Sequence, residues 1–194
     1  MMDLKRIYWT RVGLRLAFAA TMMWLGVSVA VAFMPKGSAG TNTSTVSEIF
    51  RGMFDGVVAA VMLPGLVAIV LTVIAGFINA RDVRRRDPAR RFTRQQRREG
   101  MARAGGQCEM ETGFGRRCSR PAEHGDHFYP WSKGGSTSQQ NFVAACARCN
   151  RAKGAGIPSP RQQERLERRR LGYVAPGSTL SVGERQPLPD AHRR

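Results

Sequence analysis

Charged residues are absent from two long stretches of the chain, residues 16–35 and 56–80, runs of 20 and 25 positions. At ~1.5 Å per residue, helices of these lengths reach about 30 and 37 Å, enough to cross a hydrocarbon core of ~30 Å. A buried helical hairpin in a water-soluble protein is the alternative, but no other segment is apolar enough to cover two such helices. The pattern therefore predicts two transmembrane helices. Arg15 and Lys36 bracket the first, where their long stems can reach the membrane interface. Pro64 predicts a kink in the second, which neighbouring backbone can absorb in lipid. A cleaved signal peptide competes for the first segment, because Lys5, Arg6 and Arg11 precede it. Its apolar run exceeds the usual ~7–15-residue signal core, which favours an uncleaved anchor.

After residue 80 the long apolar pattern ends. Asp87-Pro88 predicts a helix start, with Asp as the cap and Pro in the first turn, and Gly100 predicts its end. Ser159-Pro160 predicts a second short helix through Leu171, closed by Gly172, with only Leu166 and Leu171 to bury a face. The last twenty residues read as disordered.

The charge balance adds a partner and an orientation. A net charge of +17, from 27 Arg and 4 Lys against 14 acids, implies a polyanion: nucleic acid or an anionic membrane face. Lys5, Arg6, Arg11 and Arg15 precede the first span, nine Arg lie between 81 and 98, and the loop 36–55 holds only Lys36 and Arg51. Basic residues in short flanks stay on the cytoplasmic side, so both termini are expected there. The arginines of 81–103 fit either anionic lipid, at about 1 kcal/mol per charge, or phosphates of a nucleic acid.

All four cysteines fall between 108 and 149, close enough to form one site. They fit a zinc centre, two disulfides or free thiols, and the compartment decides between these. In a reducing cytoplasm thiolates persist as ligands and disulfides do not, which favours zinc. A domain of roughly 50 residues buries little apolar surface, and structural zinc, at roughly 10–16 kcal/mol, would dominate its folding.

Between the cysteines runs an Asp-His pair, Asp126-His127, with Asn141 fifteen residues after the Asp and Asn150 nine further on. Asn150 directly follows the Cys146-x-x-Cys149 knuckle. This spacing resembles the core of the HNH endonucleases, in the variant whose last His is Asn. The resemblance covers residues 104–156. It implies a ββα-metal unit: Asp126 and His127 on a first strand, Phe142 to Ala145 on a second, and a helix from the knuckle to about Lys153. It implies His127 as general base, Asn141 as the residue that holds the loop, and Asp126 with Asn150 as oxygen ligands of Mg²⁺ or another divalent cation. Cys108 and Cys118 would pair with Cys146 and Cys149 in a structural Zn²⁺ ribbon, although nine intervening residues in the first pair depart from the family's commoner two. Arg148, Arg151 and Lys153 would meet phosphates. His124 reads as a solvated side chain, and Trp131 as a residue packed on the zinc ribbon rather than stacked on a base.

The expected architecture is a two-helix transmembrane hairpin followed by a small α+β domain. In chain order it comprises a cytoplasmic segment 1–15, a span 16–35, an extracytoplasmic loop 36–55, a span 56–80, a polybasic connector 81–103, the endonuclease domain 104–156 and a polar, largely disordered tail 157–194. The resemblance implies hydrolysis of DNA with one divalent cation, leaving 5′-phosphate and 3′-hydroxyl ends. The rival reading is a non-catalytic zinc-ribbon module that docks nucleic acid or a protein at the membrane.

Overall fold

The computed structural model describes residues 2–34 and 46–188. Two long helices come first, α1 (Met2–Ala32) and α2 (Val46–Arg84). The stretches Leu4–Ala32 and Phe54–Arg84 are long and apolar enough to cross a membrane. Their apolar side chains point outward: Met23 is 70% exposed, and Phe54, Met62 and Phe77 are each 69% exposed. Within them Thr21 and Thr72 donate 2.8 Å bonds back to the carbonyls of Ala17 and Ala68, respectively. Pro64 sits inside α2, which continues past it. Residues 46–55, expected in a spacer loop, are the first turns of α2; the rest of that loop lies outside the described residues.

Residues 78–188 form a compact unit whose centre is a two-stranded antiparallel ladder, β1 (His124–His127) and β2 (Phe142–Ala145). The register pairs His124 with Ala145 and His127 with Phe142. Every residue of β2 is buried, because both faces of the ladder are covered. Phe142 and Ala144 face Phe92 and Ala104, whereas Val143 faces Phe128, Leu166 and Val182. The cover on the first face is α3 (Arg94–Arg103), and on the second it is α5 (Pro160–Arg170); α4 (Ala147–Lys153) follows β2 directly. This is the ββα arrangement with flanking helices.

The covering helices depart from the sequence-based expectations in informative ways. Helix α3 starts at Thr93, not Asp87, because Thr93 and Gln96 form a reciprocal capping box that satisfies two otherwise orphaned donors. Asp87 instead makes a local turn, its Oδ1 accepting from the Ala89 N–H at 2.9 Å. Gly100 does not end α3. It lies inside the helix where Phe142 crosses, and a Cβ there would meet the Phe142 ring at 2.3 Å.

The tail from 157 to 188 is likewise structured. Helix α5 starts as expected, with Ser159 and Gln162 in a capping box and Pro160 in the first turn. Leu166 is buried, but Leu171 is 67% exposed, and the residue that goes inside is Arg170. Its guanidinium donates to both Glu109 oxygens at 2.9 and 3.2 Å and to the Phe142 carbonyl at 3.1 Å. Glu109 also accepts from Tyr173 Oη at 2.9 Å and from the Ala144 N–H at 3.0 Å. A fully buried ion pair of this kind holds only because the remaining donors and acceptors are met. Beyond α5, Val182 is wholly buried and Gly183 donates to the Gln140 carbonyl at 3.1 Å. The expectation of a disordered end fails over this stretch; residues 189–194 lie outside the described residues.

Candidate active site and cysteine cluster

Strand β1 puts Asp126 and His127 side by side at the ladder's loop end, opposite Val143 and Phe142. The imidazole of His127 stacks on Phe92, with ring centroids 4.3 Å apart and planes at 29°. Its Nε2 lies 3.1 Å from Thr137 Oγ1. Burial pushes the ring's pKa down to about 4; Asp126 and Asp87 oppose this, while Lys153 and Arg90 add to it. The imidazole is therefore neutral at neutral pH and able to accept a proton.

From β1 the chain turns through a loop to Asn141, which is wholly buried. Asn141 Oδ1 accepts from the Tyr129 N–H at 2.8 Å, and Nδ2 donates to the Tyr129 and Ser136 carbonyls at 3.0 and 2.7 Å. One amide thus ties both ends of the loop. Gly135 permits this closeness, since a Cβ there would lie 2.0 Å from the Tyr129 carbonyl oxygen. Trp131, expected on the zinc ribbon, instead meets the segment before α3: Nε1 donates to the Asp87 carbonyl at 2.8 Å, and the guanidiniums of Arg86 and Arg90 lie 5.1 and 5.2 Å from its ring centre.

Helix α4 carries the next group. Lys153, expected at a phosphate, turns inward instead. Its Nζ donates to the His127 carbonyl at 2.7 Å and lies 2.9 Å from Asp126 Oδ2. The physical reason is charge: Asp126 is mostly buried and would otherwise lie uncompensated. No donor aims a directed hydrogen bond at this buried Oδ2, so the ammonium approaches as a point charge. Asn150 lies three residues before Lys153 and therefore shares the helix face that looks towards β1. Arg148 and Arg151 are exposed on α4, and His124 is exposed at the start of β1.

At the other end of the ladder the four cysteine sulfurs all lie within 4.8 Å of one another. Tetrahedral zinc, with Zn–S bonds of ~2.3 Å, requires sulfurs about this close. The nine residues between Cys108 and Cys118 fold back as a small hairpin, with Glu111 bridged to Arg117 and Gln107 to Pro121. That hairpin is how an unusual spacing still delivers two sulfurs to one point. Cys146 caps α4, and the Cys149 N–H directed at its sulfur holds the thiol down at about 7. Burial raises the thiols of Cys108 and Cys149. Such a set gains most from a cation that takes the sulfurs as thiolates.

The groups that hold the His127 end of the ladder in place were not legible in the sequence. Thr137 meets the segment 87–96 through its N–H, carbonyl and hydroxyl. Glu184 accepts from Ser136 Oγ at 2.7 Å and also contacts Ser138 Oγ, while Gln186 N–H donates to the Gly134 carbonyl at 2.8 Å. Asp82 pairs with Arg185 at 2.6 Å. Asp87-Pro88 was read as a helix start, and its partner fifty residues away, Thr137, was not visible.

Residues 115–156 match the family model described as HNH endonuclease, a span that includes every residue of the Asp-His, Asn and Asn series. Cys108 lies just upstream of the matched span, although its sulfur belongs to the cluster. No curated protein and no solved structure matches the chain. The ββα unit, the ordered Asp126, His127, Asn141 and Asn150, and the family match together identify residues 115–156 as a domain of the HNH endonuclease family.

Proposed function

We propose that this chain is a membrane-anchored endonuclease that hydrolyses DNA phosphodiester bonds with one divalent cation, Mg²⁺, leaving 5′-phosphate and 3′-hydroxyl ends. The observation that supports it most is the adjacency on β1 of a neutral imidazole, His127, and the mostly buried carboxylate of Asp126. A carboxylate oxygen is the kind of ligand a hard cation takes. Asp126 and Asn150 would hold the ion, which when bound polarises the phosphate and stabilises the leaving 3′ oxygen.

The chain's own groups supply the rest. His127 accepts the proton of the attacking water. Asn141 holds the loop that faces the imidazole. Lys153 places a positive charge beside the reacting centre, and Arg148 with Arg151 meets flanking phosphates. The four cysteines hold a structural Zn²⁺ with no open position for chemistry. Exposed arginines between 81 and 98 rest on anionic lipid, and α1 and α2 anchor the chain with both termini cytoplasmic. Ser178→Cys in intact cells then resists an impermeant thiol reagent; labelling from outside contradicts this orientation.

The test is nicking of supercoiled plasmid by the purified full chain in detergent. Nicking that requires Mg²⁺, stops with chelator and yields ligatable ends supports the proposal. One observation favours the second reading, a non-catalytic zinc-ribbon module: Lys153 already compensates the Asp126 charge. DNA binding without nicking under any divalent cation would make that reading the better one.

A further inference from the structure

Thr137 is anchored through all three of its polar groups to one segment that precedes the family-matched span. Its N–H donates to Asp87 Oδ2 at 2.9 Å, and its carbonyl accepts from Gln96 Nε2 at 2.9 Å. Its hydroxyl donates to the Ala89 carbonyl. Asp87 is fixed in turn by the Ala89 N–H at 2.9 Å, and its own carbonyl accepts from Trp131 Nε1 at 2.8 Å. The far side of the His127 ring is covered by Phe92, from the same segment.

The proton count in this chain of contacts has one solution. A carbonyl oxygen only accepts, so the single hydroxyl proton of Thr137 goes to Ala89. Thr137 Oγ1 therefore faces His127 Nε2, 3.1 Å away, with a lone pair. In a neutral imidazole Nε2 must then carry the hydrogen and Nδ1 must be bare. Among the described residues Nδ1 has no hydrogen-bond partner, and it is not among the side-chain nitrogens closed off from solvent.

We propose that Thr137 is a positioning residue that fixes His127 as its Nε2–H tautomer and presents Nδ1 as the proton-accepting atom. Its catalytic consequence rests on the reading of His127 as general base; the tautomer does not. The segment 87–96 thereby sets the chemistry of a histidine more than thirty residues away, through one hydroxyl.

The test uses the full chain with ¹⁵N-labelled histidine, of which there are three. Imidazole nitrogen spectra of wild type should show His127 protonated at Nε2. Thr137→Val, nearly isosteric but without the hydroxyl, should mix the two tautomers and lower kcat for DNA nicking ~10–100-fold with KM unchanged. Thr137→Ser, which keeps the hydroxyl, should recover both. A wild-type ring protonated at Nδ1 overturns the proposal, as does Thr137→Val with wild-type tautomer and kcat. Should Thr137→Val fail to fold, the wild-type tautomer alone decides. A wild type with the expected tautomer but no cleavage supports the positioning role and defeats the nuclease reading instead.

Discussion

At one end of the β1–β2 ladder four sulfurs converge within 4.8 Å, all from residues 108–149. At the other end the loop leading to Asn141 is closed by hydrogen bonds to two remote segments, 87–96 on one side and 183–186 on the other, and Arg85–Gln186 and Asp82–Arg185 contacts join the two flanks to each other. The first end is local in sequence and needs only a cation to lock it. The second is assembled from residues forty to a hundred positions apart, and it is the end that holds His127. One end of the ladder thus rests on a local cluster of sulfurs that could hold a metal, and the orientation of His127 at the other rests on the chain on either side.

The knuckle end should break hardest. Cys149→Ser removes one of four sulfurs, and structural zinc is worth roughly 10–16 kcal/mol to such a domain. The wild-type chain is expected to hold one zinc per molecule by elemental analysis, and the variant to lose both the metal and resistance to proteolysis beyond α2. A zinc-free wild type with a folded domain would remove the metal from the account.

At the covered face of β2 the effect should be smaller but still large. Arg170→Met leaves Glu109 buried without its cation, a change that costs about 3–5 kcal/mol. Its urea midpoint, followed in detergent, should fall accordingly. A tail that did not pack on β2 would leave the midpoint unchanged.

Gly100→Ala sharpens the comparison through its sign. In a free basic connector the substitution would gain ~0.5–1 kcal/mol of helix stability. Packed against Phe142, where the added Cβ would lie 2.3 Å from the ring, it should instead cost about 1–3 kcal/mol. A rise in the same unfolding midpoint would detach α3 from the domain.

These three positions also mark how far the sequence can be read. The two apolar helices were legible from uncharged runs, and β2, Phe142–Ala145, only through the family resemblance carried by Asp126-His127, Asn141 and Asn150. The cysteine cluster was legible from count and compartment. Arg170 was not, because an arginine in an Arg-rich helix reads as a solvated charge, and its burial depends on Glu109 sixty-one residues away. The true start of α3 was masked by a stronger local signal at Asp87-Pro88. Thr137 carried no signal at all, since a threonine in a Gly-Ser-Thr loop looks like filler until Ala89 is seen beside it. The continuous apolar run of β2 did hold one unused clue: a strand buried on both faces needs cover from two sides, and only the flanks of the motif remained to provide it.

The measurement closest to the central claim compares wild type with His127→Ala, as full chains in detergent, for Mg²⁺-dependent plasmid nicking and for DNA binding. His127→Ala is expected to lose at least ~10²-fold in nicking rate, with zinc content and DNA affinity retained. Nicking by purified His127→Ala at the wild-type rate would contradict that claim.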